Sequence, residues 1–501
     1  MIRYALSLLL ALAGSLAAQT TYPGHVVSEQ LYASGPYRGQ GCLQSRVGTT
    51  GLSYGLGMPV TGTVGMWDLG RQDSLIKGGY DLVPASDHYF SRTSGTIPCV
   101  SGGVPSYPFS VVIYVKLDTV AADQTLWAAS TGAVTEQLAV RFENTGDLFQ
   151  TTSVDGGSTV TAANAAAAVA GTWYVVVANF TSSASRSIYS SNDTTGATET
   201  TAHGIAAVDE LHVGRLVDAS EEVDGVIAYT GVFPVALSAD QRTAIFAGAD
   251  PALVAGGAGT TGAVWKLDNA VTDSSGNGLD LTAVNSPTAQ NNLLVVRDLS
   301  GGGYHLRATT SAPTWSSTIG NGQGGGVFAS ASSQVLVFNG TPPVVAAPGQ
   351  AYAVAQANND TAGHDVFWLG DKDAATDWWS LGFGGATADD PIRWIATDTT
   401  NSITVTSGLD YAADTNYLLY GRETSSASRV AEVNGGNQGT NADTTTPDNT
   451  DRMGIGGRLD SSPDNYLDGE IHLTILLNHA GVADQPRIET FTSGSFSLGI
   501  P

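Results

Sequence analysis

The stretch Thr172-Trp173-Tyr174-Val175-Val176-Val177-Ala178-Asn179-Phe180-Thr181-Ser182-Ser183-Ala184-Ser185-Arg186 decides how the chain is read. Its first half is aromatic and β-branched, the composition of a strand. Its second half recurs letter for letter as Thr424-Ser425-Ser426-Ala427-Ser428-Arg429, 243 residues later. Thr172-Trp173-Tyr174 and Thr415-Asn416-Tyr417 precede the two copies at the same offset. Downstream, Gly214-Arg215-Leu216 matches Gly457-Arg458-Leu459. Asp224-Gly225 with Ala239-Asp240-Gln241 matches Asp468-Gly469 with Ala483-Asp484-Gln485. Upstream, Trp127 aligns with Trp368 and Phe142 with Phe383, both at an offset of 241. A collinear series of this length means two homologous domains.

Period-two alternation runs through both copies. Residues 109–116 read Phe-Ser-Val-Val-Ile-Tyr-Val-Lys, and Leu138, Val140 and Phe142 alternate where the second copy carries Trp379, Leu381 and Phe383. That face is predicted to be core in both. One helix start stands out: Ser238 as cap with Gln241 three residues on. Its second copy, Ala483-Asp484-Gln485-Pro486, is weakened by proline. Asp273-Ser274-Ser275-Gly276-Asn277-Gly278 and Asp298-Leu299-Ser300-Gly301-Gly302-Gly303 read as tight turns leading into strands. Gly256-Gly257-Ala258-Gly259-Thr260-Thr261-Gly262 reads as a linker. The expected fold is all-β, two antiparallel jelly-roll β-sandwich domains in tandem, at 62–255 and 291–501, with 256–290 as a linker carrying a turn and strand.

Composition agrees. Among 501 residues, Lys and Arg number 21 against 46 Asp and Glu, a net charge of −25 that disfavours nucleic acid as a partner. Hydrophobic residues make up 42%, enough for packed cores rather than disorder. Residues 1–18, with Arg3 ahead of an apolar run and small residues at Ser15 and Ala17, read as a secretory signal peptide. Residues 19–61 form an unassigned arm. No later stretch has the length of a transmembrane span. The chain is therefore expected to be secreted, where Cys42 and Cys99 either pair as a disulfide or remain two buried thiols.

Residues 109–116, Gly171-Thr172-Trp173-Tyr174-Val175-Val176-Val177, Asp224-Gly225-Val226-Ile227 and Ala236-Leu237-Ser238-Ala239-Asp240 together resemble laminin-G-like domains of the concanavalin A-like lectin and glucanase superfamily. The resemblance spans roughly 62–250 and 291–490. It implies two-sheet jelly rolls, often with Ca2+ near the rim, and roles in glycan binding, adhesion or, in some branches, polysaccharide cleavage.

Cleavage would require a tight group of carboxylates on one strand. The nearest string, Glu222-Val223-Asp224-Gly225-Val226-Ile227, lacks a final Glu, and its counterpart Tyr466-Leu467-Asp468 lacks the first as well. Asp224 and Asp468 are therefore read as turn residues before a strand. Gly51-Leu52-Ser53-Tyr54-Gly55 fits a nucleophile-elbow string, but Gly57 and Pro59 forbid the helix that must follow. The Gly257–Gly262 string fits a dinucleotide fingerprint but leads into a strand. Sugar recognition would use exposed aromatics beside polar groups. By alternation Trp378 faces away from the core, where the first copy carries Gln137, and Trp394 stands beside Arg393 near the position of Thr151. Trp378, Arg393 and Trp394 are the expected ligand residues. Asp371, Asp373 and Asp377, with Asp365 close by, are the expected Ca2+ ligands. These readings predict a non-enzymatic glycan-binding or adhesion protein with a glycan or cell-surface partner. A virion or cell-surface fibre component is the alternative, and a polysaccharide hydrolase the third.

Overall fold

The computed structural model describes residues 41–43, 58–60, 63–69, 75–93, 95–133, 135–268, 270–300, 303–308, 311–319, 324–342, 349–385, 391–445, 447, 449–478 and 485–496. The leader at 1–18, most of the arm at 19–61 and the string at 51–55 lie outside the described residues. The rest folds as two sandwiches of antiparallel sheets, as the alternation predicted. Among the described residues no helix is long and apolar enough to cross a membrane.

In the first sandwich a seven-stranded sheet, including Gln124–Ser130 and Glu136–Glu143, faces an eight-stranded sheet centred on Phe109–Leu117. Phe109 stacks on Phe180 at 4.8 Å between the sheets, with Trp127 against both. In the second, a nine-stranded sheet containing His364–Gly370, Trp378–Phe383 and Pro391–Thr397 faces an eight-stranded one containing Gly349–Ala357. Leu138, Val140 and Phe142 lie in the first core, and Trp379, Leu381 and Phe383 in the second, as predicted.

The repeated hexapeptide is a structural device. Each copy turns a hairpin, with Ser182 opposite Ser185 and Ser425 opposite Ser428. Each ends in a buried arginine that gathers nearby carbonyls. Arg186 donates to Ser183 O and Thr201 O at 2.8 and 3.1 Å. Arg429 donates to Asp443 O at 2.6 Å and pairs with the buried Glu423 at 3.0 Å. A buried guanidinium needs such acceptors, and here they tie down the backbone returning from the next strand.

One alignment shifts by a residue. Trp127 lies opposite Val140 and Val213, whereas Phe367 lies opposite Leu381 and Ile455. The counterpart of Trp127 is therefore Phe367, and Trp368 takes the place of Ala128. In a strand a one-residue slip moves a side chain to the other face. Trp368 accordingly sits on the outer face, buried beside Trp378.

The domain boundaries also move, because the two sandwiches exchange their opening strands. Thr63–Asp68 precedes the first sandwich in sequence but pairs with Gly469–Leu477 of the second. Leu75–Lys77 pairs with Leu293–Val296, again in the second. Residues 263–289, expected as a linker, instead complete the first sandwich. Ala263–Trp265 pairs with Gly225–Phe233, Thr282–Val284 with Tyr89–Arg92, and Thr288–Ala289 with Tyr80–Leu82.

The two Asp-led turns hold these strands in the same way. Asp273 accepts from Val264 N (3.0 Å), Ser275 N (2.9 Å) and Leu279 N (3.1 Å). Asp298 accepts from Met66 N (3.0 Å), Ser300 N (2.8 Å) and Tyr304 N (3.2 Å). The first clamp is local and the second spans 232 residues. The backbone crosses between sandwiches at Gly78 and Gly79, both with positive φ (84° and 115°). A Cβ at Gly78 would lie 2.6 Å from Asp268 Cα, so only glycine fits there.

Ala239–Ala247 forms a helix with Ser238 and Gln241 as a reciprocal capping box, as predicted. In the second copy the helix Gln485–Phe496 forms despite Pro486. Proline in a first turn removes only an N–H that has no partner within the helix. Ile488 and Phe496 cover Tyr352, Tyr420 and Ile475 on the outer side of the second eight-stranded sheet. The first helix covers Val112, Tyr114 and Val177 together with Leu294 and Val295 of the second sandwich, so this cluster is also the seam between them.

Candidate functional site

Alternation correctly places Trp378 away from the core, but the face is not open. Trp378 is 4% exposed, packed with Val335, Val337, Trp368, Ile395 and Leu459. Its indole N–H donates to Ala375 O at 3.2 Å, and the Arg458 guanidinium lies 5.3 Å from its ring centroid. Arg458 is itself held by Asp460 at 3.2 Å and by Asp464. The segment that follows the strand Arg452–Ile455 thus roofs the face. This corrects the platform reading: the outer-face tryptophans form a second small core.

Trp394 belongs to the main core of the second sandwich rather than to an outer face. Gly421 gives it room, since a Cβ there would lie 2.1 Å from the ring. Arg393 points to the other side and donates to the buried Asp365 at 3.1 Å, whose second oxygen accepts from Asn465 Nδ2 at 3.3 Å. Trp378, Arg393 and Trp394 therefore do not converge on one ligand. Trp379 donates to Glu423 at 2.7 Å, and Arg429 partly offsets the burial that raises the Glu423 pKa.

The acidic cluster forms with one change of member. Carboxylate oxygens of Asp371, Asp373 and Asp451 lie within 4.8 Å of one another. Asp377 is not in the set: its backbone carbonyl accepts from Asp371 N at 3.1 Å, and it sits at φ 63° where the backbone reverses. Asn449 Nδ2 donates to Asp371 at 2.6 Å. Lys372 Nζ pairs with Asp451 at 3.1 Å and with Asp373, which together raise its pKa. Three carboxylates could contribute to the six to eight oxygens that Ca2+ takes. Lys372 already engages two of them.

Cys99 is a free, buried thiol, so the disulfide with Cys42 is not formed. Burial raises its pKa to about 12, against a hydrogen bond with Thr261 that lowers it. Cys99 lies in the core of the first sandwich, whereas Cys42 lies on Gly41–Leu43, which pairs with Met58–Val60. Asp224 and Asp468 stand immediately before the strands Gly225–Phe233 and Gly469–Leu477, as turn residues should. Asp224 O accepts from Asp118 N at 2.8 Å, and Asp468 accepts from Asn358 Nδ2 at 3.1 Å.

A cleft that sequence reading missed lies between the sandwiches. It measures about 200 Å³ and is lined by Tyr114, Trp173, Val175 and Asn192 from the first sandwich and by Val295 and Arg307 from the second. Trp173 opens the strand Trp173–Ser182 and is half-buried. Tyr114 forms the floor, buried, with its hydroxyl 3.5 Å from Ile245 O. Arg307 comes from Leu306–Ala308 and is half-buried, and burial lowers its pKa. Arg297 and Asp250 bridge the sandwiches next to it at 3.1 Å, with Asp250 also capping the short helix Pro251–Val254. A signal for Trp173 existed: the second copy carries Asn416 there, whose amide oxygen meets His472 Nε2 at 2.9 Å. Arg307 is one of three residues on a short strand, and the exchange that brings it to Trp173 is invisible to periodicity.

Residues 91–241 match a sequence-family model described as the concanavalin A-like lectin/glucanases superfamily. The match lies within the first sandwich and supports the resemblance read from its residues. The repeat carries the same strand order into the second. A comparison with curated proteins finds no match. Solved structures with similarity include domains LG4-5 of the mouse laminin alpha1 chain, at 12% identity and TM-score 0.28, covering 80% of this chain and 89% of that one. Another is a SAP-like pentraxin from Limulus polyphemus, at 12% identity and TM-score 0.31, covering 42% and 93%. A third is a sialidase CBM40 from Ruminococcus gnavus bound to sialyllactose, at 11% identity and TM-score 0.24, covering 28% and 80%.

Proposed function

We propose that this chain is an exported, non-catalytic glycan-binding or adhesion protein, and that the cleft between its sandwiches is where a sugar unit sits. The observation that carries the reading is a half-buried tryptophan flanked by hydroxyl, amide and guanidinium groups at a domain seam, in a chain whose first sandwich matches a lectin and glucanase superfamily. Sugar rings offer an apolar face for an aromatic and hydroxyls for polar groups, and such sites favour domain boundaries. A cleft of about 200 Å³ falls below the ~300–1,000 Å³ of drug-sized pockets, which limits it to about one ring. The leader-like residues 1–18 support export. The full chain on a glycan array tests the reading: Trp173→Leu should abolish signals that the wild type gives. An array without signals, or release of reducing ends from polysaccharide by the protein, would reject it.

A further inference from the structure

Arg307 lines the cleft without a counter-charge. Among the described residues no carboxylate and no hydrogen-bond acceptor meets its guanidinium. Its neighbours in the cleft are the Tyr114 phenol, the aliphatic Val295 and Ala308, and Trp173 across the seam. The contrast with Arg297 is direct, since Arg297 pairs with Asp250 at 3.1 Å. Several other interior arginines are held as well: Arg186 has two carbonyls, Arg429 a glutamate, Arg393 and Arg458 aspartates, and Arg215 has Asp87 at 2.6 Å, whereas Arg422, half-buried outside the cleft, has a buried Nε with no hydrogen-bond partner among the described residues. In a chain with 46 acidic residues against 21 basic ones, a half-buried arginine that lines a cleft with no carboxylate beside it is open to an acidic ligand. Withdrawing a guanidinium from water costs free energy unless acceptors replace the lost hydration. Burial pulls the Arg307 pKa downward, in keeping with that cost. The aligned strand of the first sandwich carries Thr282 at this position and builds no such feature.

We infer that the interdomain cleft takes a sugar acid: a pyranose ring against Trp173 whose carboxylate is bound by the Arg307 guanidinium. The planar fork of arginine matches the two oxygens of a carboxylate, which a lysine cannot do. The Tyr114 hydroxyl, whose acceptor among the described residues is the distant Ile245 carbonyl, is placed to add a donor. The two halves of the site come from different sandwiches, so recognition depends on the seam that the exchanged strands hold. The inference rests on the proposed glycan-binding reading and adds the ligand class and the residue that selects it.

Binding of galacturonic acid trimers and glucuronic acid oligomers to the full chain, measured by calorimetry, tests it against the methyl esters of the same sugars. The ester keeps the ring and removes the charge. The wild type should bind acid at least tenfold more tightly than ester. Arg307→Gln should erase that preference with the thermal melt unchanged, Arg307→Lys should restore part of it, and Trp173→Leu should weaken acid and ester alike. Equal binding of acid and ester by the wild type, a preference that survives Arg307→Gln, or no binding of either form would overturn the inference. If neutral glycans still bind on the array and lose binding with Trp173→Leu, the glycan-binding reading stands and only the sugar-acid assignment falls.

Discussion

Leu69 lies just after the exchanged strand and ahead of the first sandwich in sequence, yet it is fully buried in the core of the second. Its amide donates to His472 O at 2.9 Å and its carbonyl accepts from the Trp315 indole at 3.1 Å. Leu69→Ala therefore tests the exchange. Leucine truncation in a core costs about 2–5 kcal/mol, more where the surroundings cannot close in. Here one neighbour is Gly326, whose missing Cβ would lie 2.9 Å from Leu69 Cδ2, so that position offers no side chain of its own and only a shift of Leu293 or Phe328 could narrow the gap. The upper half of that range is expected. At 1.4 kcal/mol per decade, amides that exchange by opening of the second sandwich should speed up by roughly 30-fold at 2 kcal/mol and roughly 4,000-fold at 5. Peptide-resolved hydrogen exchange across Gly469–Leu477 and Gly349–Ala357 reads the effect. Unchanged protection there, with acceleration confined to Phe109–Leu117, would refute the exchange and return Leu69 to the first sandwich.

His212 is buried with its pKa lowered to about 4, chiefly by burial and then by Arg215. The unfolded state protonates first as pH falls through the ordinary histidine range, so stability is full above pH ~6.5 and is lost toward pH 4, by about 3 kcal/mol. Urea melts at the two pH values should show His212→Gln losing less than the wild type; equal losses would contradict the assignment. Trp378→Ala should cost about 3–5 kcal/mol in thermal or urea melts while leaving glycan affinity of the folded protein unchanged. Weaker binding by a folded Trp378→Ala protein would place the ligand on the roofed face after all. Calcium should raise the melting temperature of Lys372→Ala more than that of the wild type, because the substitution frees two carboxylates. Equal shifts would show that Lys372 does not compete for the cluster.

Much of the fold is legible in the sequence where the governing contacts are local or periodic. The face shared by Leu138, Val140 and Phe142 and the Ser238 cap follow from side-chain alternation and one helical turn. Three features are not legible, each for a physical reason. Trp378 does face away from the core, but whether such a face is open depends on where Leu459 and Arg458 fold back, and no period reports that. Trp127 and Trp368 share a letter and an approximate position, yet one residue of slip puts them on opposite faces. The strand exchange depends on Met66 meeting Asp298 rather than a turn of its own, a choice between equivalent partners that only three-dimensional closure decides. The cleft inherits this difficulty, since Trp173 and Arg307 meet only because the sandwiches are interlocked. A strict comparison of the copies at Trp173 and Asn416 would have marked half of the site.

The most direct measurement is a crystal structure of the full-length protein grown with a bound galacturonic acid oligomer. The account predicts sugar density between the sandwiches, one ring against Trp173 and its carboxylate on Arg307. Density over Trp378, at Asp371 and Asp451, or anywhere else with the cleft empty would contradict it.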